Sequence, residues 1–390
     1  MDIREVDMGK LCNKCNWFEN EKCIHIEGSC LKIESDGRRP ESVEFSSMEE
    51  DAKRRDLTIN GLFFDPITEE IFDFVGGQKD INHGIIQFIG DAKDRIDEDR
   101  LRILRAIRFS ARFDFDMESD TLNAIKKNAH RINDVSIERI KMELDKMLLI
   151  RKPSEAFNML HETGLLKHIL PEVDVLWSVE QSPRWHAEGN VGIHTMMVLD
   201  AVRAKTNKLH ILWSALLHDV GKKRCFTIED GLIRAHGHAG VGAEIVETIL
   251  RRLKSSNQER KAAIDLVANH MKIKDVAKMR KSKLRRLVAQ NNLEDLIILG
   301  ISDSESAYCT IPELEAGKFD FVEVLKNFKD ELKDVVELPE PFVTGKDLIS
   351  LGFKPGPVFK EILDEVAELQ LGGEITHRNE AMAYVRTLVG

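Results

Sequence analysis

The sequence predicts a mainly α protein with a small α/β portion at its N-terminal end, and three observations carry that expectation. From Asp97 onward apolar residues recur at helical spacing, with Leu101, Leu104, Ile107 and Phe109 near one face. Strand-like runs of alternating or continuous apolar residues are confined to the first quarter. Only 10 prolines and 24 glycines interrupt 390 residues, so long helices are permitted nearly everywhere else. In order, residues 42–45 and 59–64 read as short strands, and Asp65-Pro66 is a turn before the apolar stretch 71–75. Gly76-Gly77 breaks that pattern. Amphipathic helical segments follow at 97–109, 118–130 and 136–150, and Pro153 opens another helical region.

A chain of this length exceeds one minimal core, and at 42% hydrophobic it is too apolar to be disordered, so several domains are expected. No run approaches the roughly 18 to 20 apolar residues of a membrane helix, and the first 30 residues hold no signal-type block; a soluble, cytoplasmic protein without a membrane partner is expected. With 57 Lys and Arg against 67 Asp and Glu, the net charge of −10 argues against wholesale coating of nucleic acid and leaves room for a local basic groove. One stretch reverses the sign: between residues 271 and 290 lie Lys272, Lys274, Lys278, Arg280, Lys281, Lys283, Arg285 and Arg286 against the single acid Asp275. It suits an RNA backbone, with Lys281, Arg285 and Arg286 as the contacts, and it equally suits a solvated helix face.

Four of the six cysteines, Cys12, Cys15, Cys23 and Cys30, crowd the first 30 residues. A secreted disulfide scaffold would be short and cysteine-dense throughout. Cys12-x2-Cys15 is the tight half of a tetrahedral zinc site, and Cys23-x6-Cys30 is a looser second half in which His25 can replace a thiol. An iron–sulfur cluster and four ordinary thiols are the other readings.

Two constellations carry chemistry. The first is Asp36-Gly37-Arg38-Arg39-Pro40 followed by Arg54-Arg55-Asp56-x3-Asn60, then Asp73-x2-Gly76-Gly77-x2-Asp80, then Glu98-Asp99-x2-Arg102-x2-Arg105. Paired arginines hold a triphosphate, while Asp56 and Asn60 fix a ribose or orient those arginines. The Gly-Gly turn lets backbone approach a ligand closely. Helical spacing sets Asp99 beside Arg102, so that a carboxylate acceptor and a guanidinium donor can read a nucleobase edge; intrahelical salt bridges are the plainer reading. The second constellation is His194, His218-Asp219-Val220-Gly221-Lys222, His236-Gly237-His238, His270 and Asp303. His194, His218, Asp219 and Asp303 can converge on one divalent cation, with His238 and His270 completing a second site, while Lys222 steadies a phosphate. A single such histidine on an apolar helix is more often a satisfied core residue; the His-Asp string shifts the balance.

Through these ordered motifs the chain resembles the bacterial-type CCA-adding enzyme and poly(A) polymerase family over about residues 34–390. The resemblance extends to Glu138-Arg139-x3-Glu143-Leu144 and to Val343-Thr344-Gly345-Lys346-Asp347-Leu348 with Gly352-x2-Pro355-Gly356-Pro357. It implies that Arg54, Arg55, Asp56 and Asn60 surround the nucleotide sugar and phosphates, and that Asp99 and Arg102 read the base with Arg105 beside them. His218-Asp219 resembles the HD phosphohydrolase signature, which implies metal-dependent hydrolysis of phosphomonoesters and 2′,3′-cyclic phosphates with Mg, Mn or Ni, His218 and Asp219 being catalytic. The implied organisation is a Cys-rich metal knuckle (1–33), a truncated nucleotidyltransferase head (34–92), a neck of base-recognition helices (93–150), a helical body (151–335) enclosing an HD domain at about 190–305, and a helical tail (336–390). The implied partners are tRNA, ATP and CTP.

The family's two catalytic metal ions sit on an Asp-x-Asp pair N-terminal to the Asp36 region, and no such pair stands there in this sequence. Asp97/Asp99 belongs to the base-reading motif and Asp114/Asp116 follows its helix. The expectation is therefore a tRNA 3′-end nucleotidyltransferase-family protein whose transfer step, with its Mg, needs a separate catalytic-head polypeptide. A stand-alone HD phosphohydrolase acting as a 2′,3′-cyclic phosphodiesterase on RNA ends, and a non-catalytic tRNA-binding subunit, are the alternatives.

Overall fold

The computed structural model of the chain describes residues 30–34, 42–289, 292–312, 319–331 and 338–388. Cys12, Cys15, Cys23 and the 36–40 segment lie outside the described residues, so the expected metal knuckle does too; Cys30 opens the first strand.

Strands β1 (Cys30–Glu34) and β2 (Ser42–Ser46) pair antiparallel, with Cys30 opposite Ser46. Helix α1 (Met48–Arg54) starts on a capping box in which the Ser47 hydroxyl accepts from Glu50 N and the Glu50 carboxylate accepts from Ser47 N. The single strand expected over 59–64 is shorter. Residues Thr58–Asn60 form a 3₁₀ turn and only β3 (Leu62–Phe64) is extended, paired antiparallel with β4 (Ile71–Asp73). Side chains hold that turn: Thr58 Oγ1 donates to Asp80 Oδ2 at 2.5 Å and Asn60 Nδ2 to Asp56 Oδ1 at 2.9 Å.

Helix α2 (Gly77–His83) shows what the Gly-Gly turn is for. Gly76 is left-handed at φ 81°, and a Cβ on Gly77 would lie 2.2 Å from the Thr58 carbonyl oxygen. The close approach is thus to the chain's own backbone, where a ligand was expected. The Asp73 carboxylate accepts from the backbone N–H groups of Val75, Gly76, Gly77 and Gln78 at 2.8–3.1 Å. Burial alone would raise this carboxyl, and those four donors bring it below its ordinary range.

Strand β5 (Ile85–Ile86), α3 (Ala92–Glu98), α4 (Arg102–Phe113) and β6 (Asp116–Met117) form a crossover that ends with β6 parallel to β5. Then follow α5 (Ser119–Asn128), α6 (Ile137–Leu148), α7 (Pro153–Glu162, opened by its proline), α8 (Leu166–Ile169) and α9 (Pro171–Asp174). The body continues with α10 (Val191–Lys205), α11 (Leu209–Leu217), α12 (Lys222–Cys225), the hairpin β7 (Thr227–Glu229) and β8 (Leu232–Arg234), α13 (His238–Arg252), α14 (Asn257–Lys274), α15 (Lys281–Val288), α16 (Leu293–Ser306) and α17 (Asp320–Glu331). Helices α10, α11, α14 and α16 pack on one another, and α11 is buried at every position from Ile211 to Leu217, as its unbroken apolar run requires. One apolar core runs from Leu57 to Phe328. A separate cluster around Leu348, Val366 and Val385 holds the tail helices α18 (Gly345–Ser350), α19 (Pro357–Gly372) and α20 (Arg378–Thr387) together.

Inside this core Arg108 of α4 and Glu143 of α6 form an ion pair at 2.6 Å, with side chains only 6% and 4% exposed. Two charges are tolerated there because each satisfies the other; removing one strands its partner. Glu143→Ala is expected to lower unfolding free energy by about 3 kcal/mol or more in a urea titration. A loss below about 0.5 kcal/mol, the range of an exposed pair, would contradict the assignment.

Candidate metal centre and nucleotide pocket

The four mutually packed body helices bring the predicted histidines and carboxylates together. Asn190 caps α10 by accepting from Ile193 N at 3.0 Å, and the first turn of that helix directs His194 inward, fully buried. His218 and Asp219 end α11, His238 begins α13, and His270 and Asp303 project from α14 and α16. All six are at most 8% exposed. The turn after Asp219 is locked by Gly221, where a Cβ would lie 2.2 Å from the His238 carbonyl oxygen, so only glycine lets α13 approach this closely.

The ring orientations are set by backbone carbonyls. His218, His238 and His270 donate from Nδ1 to the carbonyls of Ala215, Ala235 and Val267 at 2.8, 2.8 and 2.7 Å. A carbonyl only accepts, so each Nδ1 carries a proton and Nε2 is the atom each ring turns inward. Nε2 of His218 is buried with no hydrogen-bond partner. Nε2 of His238 and of His270 face each other at 3.3 Å, and the Asp219 Oδ1 atom lies 3.3 Å from the first and 3.9 Å from the second. His194 Nε2 faces Asp303 Oδ1 at 3.1 Å. Lone pairs converging in a buried space fit a divalent cation, which the donor set of imidazole and carboxylate suits. His194, His218 and Asp219 form one possible ligand group and Asp219, His238 and His270 another.

Electrostatics agree with that fit. Burial alone would raise the Asp219 carboxyl, but the neighbouring His218 and Lys222 carry it well below its ordinary range. Asp303 is likewise lowered against its burial, chiefly by Lys274 and His194. Burial would lower His194, yet Asp303 and Glu188 hold it above its ordinary value. His270 is pushed down to about 3, by burial and then by His218, and stays neutral and ligand-competent.

Sequence reasoning missed Glu188 and His186, on the loop before α10. Glu188 Oε1 lies 2.8 Å from His194 Nδ1 and 2.7 Å from His186 Nδ1. No motif flags them, because loop residues have no period. Lys274, read as part of a basic groove, instead pairs with Asp303 Oδ2 at 2.7 Å, since it lies one helical turn after His270.

The nucleotide motifs also come together, with one correction. Arg54 and Arg55 both anchor on the Asp51 carboxylate, at 2.9 and 3.1 Å, and Arg55 donates to the Asn60 carbonyl at 2.7 Å. The Asp56 carboxylate, 6% exposed, accepts from Asn60 and pairs with Arg105 Nε at 2.5 Å; burial would raise it, and Arg105 lowers it overall. Arg102 donates to the Arg54 carbonyl at 3.0 Å and pairs with Glu98 at 2.5 Å. Asp99, expected on the same helix as Arg102, stands in the break between α3 and α4. Its φ of −151° ends α3, its Oδ1 accepts from Leu101 N, and its Oδ2 pairs with Arg139 of α6 at 2.7 Å. Among the described residues the candidate metal-ligating groups all lie at the histidine centre. Asp97 is held by Lys93 and Arg131, so Asp97/Asp99 is not a vacant metal pair.

At the end of α14, Lys272, Lys278, Arg280, Lys283 and Arg286 line a cavity of about 760 Å³. Of the three expected RNA contacts only Arg286 lines it, and it is paired with Glu368 of the tail at 2.7 Å; Lys281 is exposed and Arg285 half-buried elsewhere on α15.

The depressed His270 gives a pH test. Between its unfolded value of 6.5 and about 3, the unfolded chain binds a proton that the folded chain refuses, so this group's contribution to stability falls as pH is lowered across that window. In metal-free protein, His270→Asn is expected to flatten the stability–pH slope between pH 6 and pH 4.5, by up to about 1.4 kcal/mol per pH unit. An unchanged slope in paired urea titrations would contradict a buried neutral ring.

Comparison with known proteins places this geometry. Three family models match in order: "Poly A polymerase head domain" at 9–87, "Probable RNA and SrmB- binding site of polymerase A" at 114–176 and "HD domain" at 191–308. The multifunctional CCA protein of Cupriavidus metallidurans is 37% identical over 250 residues, covering 62% of this chain and 59% of that protein. That of Paraburkholderia phymatum is 34% identical over 254 residues, covering 63% and 60%. The chain thus spans about three-fifths of the length of these curated relatives. In fold it is similar to the Bacillus stearothermophilus CCA-adding enzyme solved in complex with CTP, with a TM-score of 0.59 at 24% identity over 92% of this chain and 82% of that one. A second CCA-adding enzyme, solved with ATP, gives 0.52 at 18% identity over 88% and 73%. With segments that match the poly(A) polymerase head, RNA-binding and HD models in this order, the chain resembles CCA-adding and poly(A) polymerase proteins that carry an HD domain.

Proposed function

We propose that this protein acts on tRNA 3′ ends, selecting CTP and ATP for CCA addition or repair, and that its histidine centre hydrolyses phosphoester ends of RNA. The observation that supports the first half is the Asp56–Arg105 pair, which ties the Arg54-Arg55-Asp56 turn to the helix bearing Arg102 and so brings the ordered motifs next to one another. Arg54 and Arg55 would meet the triphosphate, Asp56 and Asn60 the ribose, and Asp99 and Arg102 the base edge. The same relatives, described as multifunctional CCA proteins, support this reading. The Asp51 carboxylate beside Arg55 is taken up by Arg54 and Arg55, and in this reading the transfer step takes its Mg-binding carboxylates from outside the described residues, a separate head polypeptide being the form we favour.

For the second half, His194, His218, Asp219 and Asp303 would hold one divalent cation, and His238 and His270 would complete a site with Asp219. Mg, Mn or Ni would serve there, and Zn would suit the Cys-rich segment. A bound cation supplies Lewis acidity for phosphoester hydrolysis. The chain's own part is to exclude bulk water by burial, to orient the rings through Nδ1, and to offer Lys222, whose Nζ lies 2.6 Å from Asp219, to a phosphate oxygen. The assembled centre favours, as a second reading, a stand-alone phosphohydrolase on RNA ends.

The test is tRNA lacking its terminal nucleotides, incubated with CTP, ATP and Mg, with and without an Asp-x-Asp head protein. The chain alone is expected to be inert and the pair to extend the RNA, with Arg102→Ala lowering incorporation at least about tenfold, the loss of one charge-assisted contact. Separately, hydrolysis of a 2′,3′-cyclic phosphate is expected to need divalent metal and to fall at least about a hundredfold in His218→Ala. Extension by the chain alone would overturn the division of labour. Hydrolysis at the parent rate by His218→Ala would overturn the metal reading.

A further inference from the structure

Arg54 and Arg55, the side chains that would meet a triphosphate, are long and flexible, and one carboxylate holds both. Asp51 Oδ1 accepts from Arg54 Nη2 at 2.9 Å, while Oδ2 accepts from Arg55 Nε and Nη2 at 3.2 and 3.1 Å. Along one helix such contacts would be ordinary surface pairs of little consequence. Arg55 departs from that pattern. It lies just beyond α1 with extended backbone at ψ 171°, and its guanidinium folds back to Asp51 while Nη1 donates to the Asn60 carbonyl at 2.7 Å. The Phe63 ring lies against the same guanidinium, 4.6 Å from Cζ. Three of its five N–H groups are thus taken from two directions, and among the described residues one is left on each terminal nitrogen. A guanidinium fixed in this way can present those two donors to phosphate oxygens.

The carboxylate is itself fixed by the frame around it. Helix α1 starts on the Ser47–Glu50 capping box, and its end is held from outside: Arg95 Nη1 donates to the Lys53 carbonyl and Arg102 Nη2 to the Arg54 carbonyl, each at 3.0 Å. The place of Asp51 therefore does not depend on the guanidiniums it grips. We propose that Asp51 is a positioning residue of the nucleotide pocket: it holds Arg54 and Arg55 in the orientation in which they meet a triphosphate, so that their ordering is complete before the nucleotide arrives. The proposal rests on reading that pocket as a nucleotide site. Two effects of an acid oppose each other there. Its charge repels phosphate, whereas its grip removes the cost of ordering two long side chains on binding. The side chains of Asp51, Arg55 and Arg54 are 21%, 33% and 36% exposed, so solvent damps the repulsion and the ordering decides the sign.

The test is binding of CTP and of cytidine to the full chain by calorimetry. Asp51→Asn, which keeps shape and loses charge, is expected to bind CTP about five- to a hundredfold more weakly, the ordering cost of two such side chains. Its affinity for cytidine, which carries no phosphate, is expected to be unchanged, and Asp51→Glu to recover part of the loss. Equal or tighter CTP binding by folded Asp51→Asn, alongside lost binding in Arg55→Ala, would overturn this inference alone, as would an equal loss for CTP and cytidine. A parent that binds no CTP, or binds it as tightly after Arg55→Ala, would overturn the nucleotide reading and this inference together. Should Asp51→Asn fail to fold, crystals of the parent with CTP decide. Both arginines are expected to keep Asp51 while touching phosphate oxygens, and arginines that leave Asp51 to reach the phosphates would refute the proposal.

Discussion

The body is organised around a constraint on charge. Asp219, Asp303 and Glu188 are buried carboxylates, and an unpaired charge in such an interior is prohibitive. Lys222 and Lys274 each answer one, at 2.6 and 2.7 Å. The third, Glu188, accepts from His186 Nδ1 and from Tyr308 N, with His194 Nδ1 2.8 Å away. Three further rings are oriented by backbone carbonyls so that Nε2 turns inward, toward the place a cation would take.

Helix α6 links this centre to the nucleotide pocket. Its Arg139 fixes Asp99, its Glu143 neutralises the buried Arg108, and its Lys141 pairs at 3.2 Å with Glu259 of α14, the helix that carries His270. Glu138 adds a bond to Lys254, just past α13. The two candidate sites therefore share one helix, which the buried Arg108–Glu143 pair ties to α4.

What was legible in the sequence follows from which interactions are local. The His218-Asp219 string made the cluster of imidazoles and carboxylates legible, because those two ligand-type residues are adjacent in the chain. Arg54, Arg55, Asp56, Asn60, Arg102 and Arg105 were legible as ordered motifs. Asp99 was misplaced because its carboxylate caps Leu101 N and breaks the helix, a choice that spacing alone does not reveal. Gly77 was read as making room for a ligand, whereas the neighbour it accommodates is the Thr58 carbonyl, far from it in the chain. Glu188 and His186 escaped notice because their partners come from α10 and from the chain beyond α16. Lys274 looked like one cation in a basic run until the fold set it against Asp303.

The central claim is that the buried imidazoles and carboxylates form a cation site. The most direct measurement is anomalous diffraction from crystals equilibrated with Mn²⁺. The account predicts a peak among His194 Nε2, His218 Nε2, Asp219 and Asp303, at ordinary ligand distances of about 2.0–2.3 Å. A map with manganese only at the surface, and the four side chains still bonded to one another, would contradict it.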